Sequence, residues 1–378
     1  MTPSVTRVLR AAAALICAMT VAVLPADVAH ADRIRDDQWH LRFLNVVEAH
    51  QISQGAGVIV AVIDTGVDPH PDLLSNLLPG TNVFAGETGD DCQDQDGHGT
   101  AMAGLIAAHG QGDKNGALGI APKAKILPIC YKGTNGSGDS GIFALGIEAA
   151  VRSGAGVISL SSGGGPSPRL SKAVEEALAA DVVVVAAAGN KPIDFGLTFP
   201  AFLKGIVAVG ATDIRGNHSA ISVTGQQLVI TAPGVGIYST SKDGRYYKGT
   251  GTSNSTAIVA GAAALVRSKY PNLSATEVVH RLTATATDKG KPGRDEEYGY
   301  GVLNLVAALT ADVPPLESSA APTATVSVAP SATSAKALPE PAGSDDAGRT
   351  LLIAVAALAG VGLVSALLGR RSRRRRAT

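Results

Sequence analysis

Between Gly57 and Ala311 the chain alternates short, almost continuous apolar runs with stretches in which apolar residues recur at intervals of three and four. The runs GVIVAVI (57–63), KILPI (125–129), GVISL (156–160), VVVVAAA (182–188) and GIVAVG (205–210) read as strands buried on both faces. Helical spacing marks 101–108, 141–152 and 170–180. A further helix is predicted over 254–270, stopped by Pro271, and another from Ser274, where the SATE spacing to Glu277 forms a capping box. Strand and helix in alternation predict an α/β domain, residues 55–312, built on a central mostly parallel sheet with helices on both faces. In such sheets functional groups gather at the carboxyl ends of the strands.

The two ends follow different patterns. Arg7 and Arg10 precede an apolar run, 11–24, and Ala29-His30-Ala31 has the small-x-small form of a signal-peptidase site, so residues 1–31 read as a secretory signal. From Val313 to Arg349 the composition turns to Pro, Ala, Ser, Thr and Val without periodicity, which predicts a disordered tether averaging about 30–35 Å end to end. Residues 351–369 carry no charge and as a helix would reach roughly 28 Å, enough to span a bilayer. Six arginines between 370 and 376 place the basic tail, 370–378, in the cytoplasm and the bulk of the chain outside.

Charge and cysteine content acquire meaning from this partition. The 378 residues contain 32 basic and 32 acidic side chains, but the outer portion, 32–350, has 24 basic and 31 acidic. An acidic exported domain with a cationic anchor is no nucleic-acid binder. Cys17 leaves with the signal, so Cys92 and Cys130 are the one possible intramolecular pair in an oxidising compartment; two separate buried thiols are the alternative.

Four islands carry candidate chemistry: Asp64 in VIDTGVD, His98 in DGHGTAMAG, Asn190 closing VVVVAAAGN, and Ser253 in KGTGTSNSTAIVAG. Singly, each has an ordinary reading as a turn former or helix cap. In the order Asp, His, Asn, Ser, each at the end of an α/β element, they match one of the known chain orders of serine hydrolases. With PHPDL, GHGT (97–100), SLS (159–161), AAAGN (186–190), GTS (251–253), VAG (259–261) and YGYGVLN (298–304), the chain resembles the subtilisin-like serine proteases over about 250 residues.

That resemblance implies a triad in which Ser253 is the nucleophile, His98 the proton carrier and Asp64 its partner. It further implies an oxyanion donor at Asn190 and substrate pairing with Ser159, Leu160 and Ser161 on one side and Ser137 and Gly138 on the other, with Gly189 nearby. The RDDQWHL segment (35–41), the cysteine between Asp64 and His98, and the tether, span and basic tail resemble the mycosins, membrane-anchored proteases of type VII secretion. This implies protein or peptide substrates exported by the cell, a secretion membrane complex as partner, and a single-pass location with the enzyme on the extracytoplasmic side. Residues 32–54 are too short for the inhibitory propeptide of many secreted subtilases and are expected to pack on the domain through Trp39.

The sequence also departs from the family. Ser255 and Ala257 replace an Ala and a Pro, and the loop 191–198 is short. No cofactor motif is present, the usual metal loops are not recognisable, and Asp72 stands alone. A scaffold role with dispensable proteolysis is the competing reading. Wall anchoring through LPEPAG (338–343) is weaker, because the motif lacks the Thr-Gly expected after its third residue.

Overall fold

A computed structural model of the chain describes residues 33–83, 92–112, 114–131 and 140–316. The signal, the tether beyond 316, the span, the basic tail and the LPEPAG segment, together with Ser137 and Gly138, lie outside the described residues. No helix among the described residues is long and apolar enough to cross a membrane.

A helical turn at 33–37 opens the described chain, followed by two short helices, α1 (Trp39–Phe43) and α2 (Val46–Ile52). The strands β1 (Ile59–Asp64), β2 (Thr81–Asn82), β3 (Lys125–Cys130), β4 (Val157–Leu160), β5 (Val183–Ala187), β6 (Val207–Thr212) and β7 (Ile230–Pro233) form one sheet in the order β2-β3-β1-β4-β5-β6-β7. Every pairing in it is parallel. An antiparallel hairpin, β8 (Ile237–Thr240) and β9 (Tyr246–Gly249), stands apart. The remaining helices are α3 (His98–Ala107), α4 (Ser140–Arg152), α5 (Pro168–Ala179), α6 (Thr252–Lys269), α7 (Ala275–Ala284) and α8 (Leu305–Thr310).

Parallel strands need helical crossovers, and these cover both faces of the sheet. One layer contains α3 and α6 with residues such as Val60, Val62, Val185 and Val209, while the other contains α4 and α5 with Ile63, Ile129, Ile158 and Val184. Alternate residues of a strand therefore feed opposite cores. The helix α6 packs across β4 to β7 and against α3. Its run of Ala, Ser, Thr and Gly permits close packing: a Cβ at Gly261 would lie 2.7 Å from Ile120 Cβ in the loop after α3 and 3.5 Å from the Ile106 carbonyl within α3. The capping box of Ser274 and Glu277 starts α7.

The segment preceding β1 is stitched onto the domain. Ile34, Trp39, Leu41, Leu44 and Val46 join the α3/α6 core. Trp39 Nε1 donates to the Val235 carbonyl at 3.2 Å, and Gln38 Nε2 donates to the carbonyls of Leu118 and Tyr238 at 3.1 Å each. Cys92 and Cys130 form a disulfide that closes a loop of 38 residues. A loop of that length stabilises by about 4 kcal/mol in the chain-entropy picture.

His40, in α1, is fully buried with no hydrogen-bond partner for either ring nitrogen among the described residues. Burial alone lowers its pKa to about 3. The unfolded chain therefore takes up a proton below pH about 6.5 that the folded chain refuses, down to pH about 3. The stabilisation from neutral His40 is fully present above pH 6.5 and is lost as pH falls, at about 1.4 kcal/mol per pH unit. Denaturant titrations at pH 7.5 and 5.0 should show a loss about 2 kcal/mol smaller in His40→Leu than in the natural chain.

Candidate active site

The carboxyl edge of the sheet assembles the site. Asp64 ends β1, and its Oδ1 lies 2.7 Å from His98 Nδ1 while also accepting the Thr65 backbone N–H at 2.8 Å. The carboxylate is buried, whereas the imidazole is one-third exposed. His98 begins α3, and the next residue must be glycine: a Cβ at Gly99 would sit 2.0 Å from the Gly66 carbonyl and 3.1 Å from Asp64 Cβ. That close approach is what brings a helix N-terminus onto the end of β1.

Parallel register carries the arrangement sideways. Val62 pairs with Ser159, which sets Asp64 level with Ser161 just beyond β4. Ser253, in the first turn of α6, donates its hydroxyl to the Ser161 carbonyl at 2.9 Å. Ser161 answers with a 3.3 Å hydrogen bond to the Ser253 carbonyl. Ser255 is fully buried and donates to the carbonyls of Ala232 and Pro233, so of the two serines only Ser253 faces the edge.

Asn190 follows β5. Its Oδ1 accepts the Thr252 N–H at 2.9 Å and the Thr252 hydroxyl at 3.3 Å, which fixes the amide flip and leaves Nδ2 as a donor. The space that a Cβ at Gly251 would fill lies 3.6 Å from Asn190 Oδ1 and 3.8 Å from both Asn190 Nδ2 and Ser253 N, so the Asn190 amide and the Ser253 backbone N–H are neighbours there. The Ser253 N–H belongs to the first turn of an 18-residue helix, whose positive end favours negative charge, and the Asn190 amide lies beside it.

The pairing segment needs a correction. Ser159 and Leu160 are interior to the sheet: Ser159 is bonded to both β1 and β5, Leu160 is paired with β5, and both are buried. They offer no open edge to a substrate. The residues that line the cleft are those immediately after the strand, Ser161 to Gly164, with Gly164 donating back to the Phe199 carbonyl at 2.8 Å. Gly189 lies beside Asn190 in the same cavity, which has a volume of about 740 Å³. No described residue of 33–54 lines it.

One group went unread in the sequence. Asp94, four residues before His98, is buried; its Oδ1 accepts from the Thr65 hydroxyl and the N–H groups of Asp96 and Gly97, at 2.7–3.1 Å. Its Oδ2 accepts the Thr100 N–H and hydroxyl at 2.8 and 2.6 Å. The Thr65 hydroxyl in turn accepts the Gly99 N–H at 3.0 Å. This carboxylate ties the end of β1 to the start of α3 around His98. Its only signal in the sequence is an Asp-x-Asp-Gly ahead of the histidine.

Asp72 is fully buried, accepting from Gln111 Nε2 at 2.8 Å and the Ala117 N–H at 2.6 Å, so both oxygens are engaged by protein donors. Among the described residues no group of three or more His, Cys, Asp or Glu is placed to hold a metal ion.

The fold and this edge are those of a subtilase, and the subtilase family model, Peptidase S8, matches residues 55–301. The chain belongs to that family and is a serine endopeptidase, a hydrolase of peptide bonds. It is 40% identical over 260 residues to Subtilisin DY of Bacillus licheniformis, spanning 68% of this chain and 92% of that one. Among solved structures it is similar to the MycP3 protease of the type VII (ESX-3) secretion system, at 34% identity and TM-score 0.62, covering 72% of this chain and 88% of that one. It is likewise similar to MycP1 from Mycobacterium smegmatis, at 28% identity and TM-score 0.63, covering 73% and 85%.

Proposed function

We propose that the chain is a membrane-anchored endopeptidase acting on exported proteins at the outer face of the cell membrane, in association with a type VII secretion complex, through Asp64, His98 and Ser253. The observation that carries the catalytic part is the 2.7 Å Asp64–His98 pair set level, by strand register, with the carbonyl that holds the Ser253 hydroxyl. The secretion role rests on the likeness to MycP1 and MycP3. Anchoring rests on the uncharged stretch 351–369 and the arginines after it.

In this reading Asp64 takes the Nδ1 proton of His98 as a hydrogen bond, which selects the tautomer whose Nε2 accepts. Ser253 turns its hydroxyl from the Ser161 carbonyl and yields the proton to that nitrogen as its oxygen attacks the scissile carbonyl. The negative oxygen that forms is held by Asn190 Nδ2 and the Ser253 N–H at the N-terminus of α6. His98 then protonates the leaving amine, and water repeats the sequence on the acyl group. Asn190→Ala should lower kcat by about 10² to 10³, read with a peptide anilide, while leaving the far-ultraviolet circular dichroism unchanged.

Terminal mass spectrometry of proteins exported by a natural strain and a Ser253→Ala strain tests the whole proposal. New or missing cleaved ends are expected in the variant. If export fails on deletion of the gene yet no termini differ in Ser253→Ala, the role is that of a scaffold.

A further inference from the structure

The loop after Asn190 places a carboxylate in the cleft. Of the described residues lining the 740 Å³ cavity beside Asn190, Asp194 is the only charged one. Its Oδ2 accepts the Asn190 backbone N–H at 2.7 Å, and a Cβ at Gly189 would lie 3.0 Å from the same oxygen. The carboxylate is thus locked beside the oxyanion donor, where the substrate residue that supplies the scissile carbonyl must enter. Its Oδ1 has no hydrogen-bond partner, and no ion pair engages the group, among the described residues.

The walls match the same occupant. Ile193 and Phe195, which flank Asp194 in sequence, are 82% and 100% exposed, and Phe202 is 54% exposed on the cavity rim. Apolar surface around a half-buried anion suits a long aliphatic stem ending in a cation. A neutral side chain would leave the carboxylate oxygen uncompensated, and an acidic one would meet like charge.

We propose that Asp194 selects Lys or Arg as the residue on the acyl side of the cleaved bond. This rests on the placement of Asn190 and Ser253 in the reaction as proposed above, and adds the substrate class to it. The Asn190 N–H held by Asp194 also makes it a positioning residue, so activity alone does not isolate its effect on specificity; a ratio between substrates does.

The test uses the full-length protein and internally quenched peptides identical except at that residue: Lys, Arg, Met, Gln or Glu. Lys and Arg peptides should exceed the Met and Gln peptides in kcat/KM by about 10- to 100-fold, with Glu lowest. In Asp194→Asn the Lys-to-Met ratio should fall to within about twofold of one, and in Asp194→Lys the order of Lys and Glu should reverse. A natural enzyme with a Lys-to-Met ratio near one, or a ratio unchanged in Asp194→Asn, overturns the proposal even if both rates drop together. Labelling by a fluorophosphonate in the same preparation separates the two failures. Labelled Ser253 without preference sinks only the specificity; an unlabelled protein sinks the catalytic reading and this one with it.

Discussion

Ser253→Ala should abolish peptide hydrolysis and fluorophosphonate labelling, with kcat falling on the order of 10⁶-fold, the scale known for loss of the nucleophile in a subtilisin. Folding should barely register the change. The lost hydroxyl makes one hydrogen bond, to the Ser161 carbonyl, at a half-buried position, so the cost is about 1 kcal/mol or less. Ser255→Ala supplies the contrast. Its hydroxyl is fully buried and bonded to the carbonyls at the end of β7, so stability should fall by about 1–2 kcal/mol while turnover persists. Turnover and denaturation measured on both variants decide which serine reacts: a Ser253→Ala enzyme that retained labelling would reject the assignment.

Asp94→Asn should be the most damaging conservative change outside the reacting groups. Three donors converge on Oδ1 and two on Oδ2. An amide accepts through only one of its two heavy atoms, so whichever way it turns, its NH₂ confronts N–H and O–H donors in a buried site. A loss of about 2–4 kcal/mol in unfolding free energy is expected. Because the Thr65 hydroxyl donates to this carboxylate and accepts the Gly99 N–H, His98 should also lose its register on Asp64, and kcat/KM should fall with KM little affected. Asp94→Glu, which keeps the charge but lengthens the arm, should recover part of the stability. Equal kcat/KM in folded Asp94→Asn and natural enzyme would show that the carboxylate braces the loop without positioning His98.

How far sequence predicts such a site depends on where each determinant resides. The apolar runs became β1, β3, β4, β5 and β6 within about two residues, because a strand buried on both faces must be apolar throughout. β2 has two residues, β7 ends in Pro233, and the YYKG of β9 is partly exposed, so none presents a buried run of useful length. Asp64, His98, Asn190 and Ser253 stood out through their glycine-flanked motifs at element ends. The cleft-lining segment starts two residues later than the resemblance implies. GVISL predicts a strand, but only the pairing of Ser159 with β1 and β5 and of Leu160 with β5 shows that these two are engaged within the sheet, so that the cleft lining starts at Ser161. Asp94 and Asp194 went unseen because their meaning lies in what converges on them across a loop. No spacing rule carries that information.

The strand order also dictates when the enzyme exists. Asp64 and His98 are near the beginning of the domain, whereas the helix bearing Ser253 comes late in the chain and packs across β4 to β7 to bring its hydroxyl to the Ser161 carbonyl. The clasp of the amino-terminal segment comes as late: Gln38 waits for Tyr238, and the Ser53 hydroxyl for the Leu265 carbonyl, contacts about 200 residues apart. Contacts of such separation form slowly and only once the intervening chain is present. A chain made amino end first therefore carries no assembled edge until about 250 residues are available to fold, so by topology alone an incomplete domain has no working site.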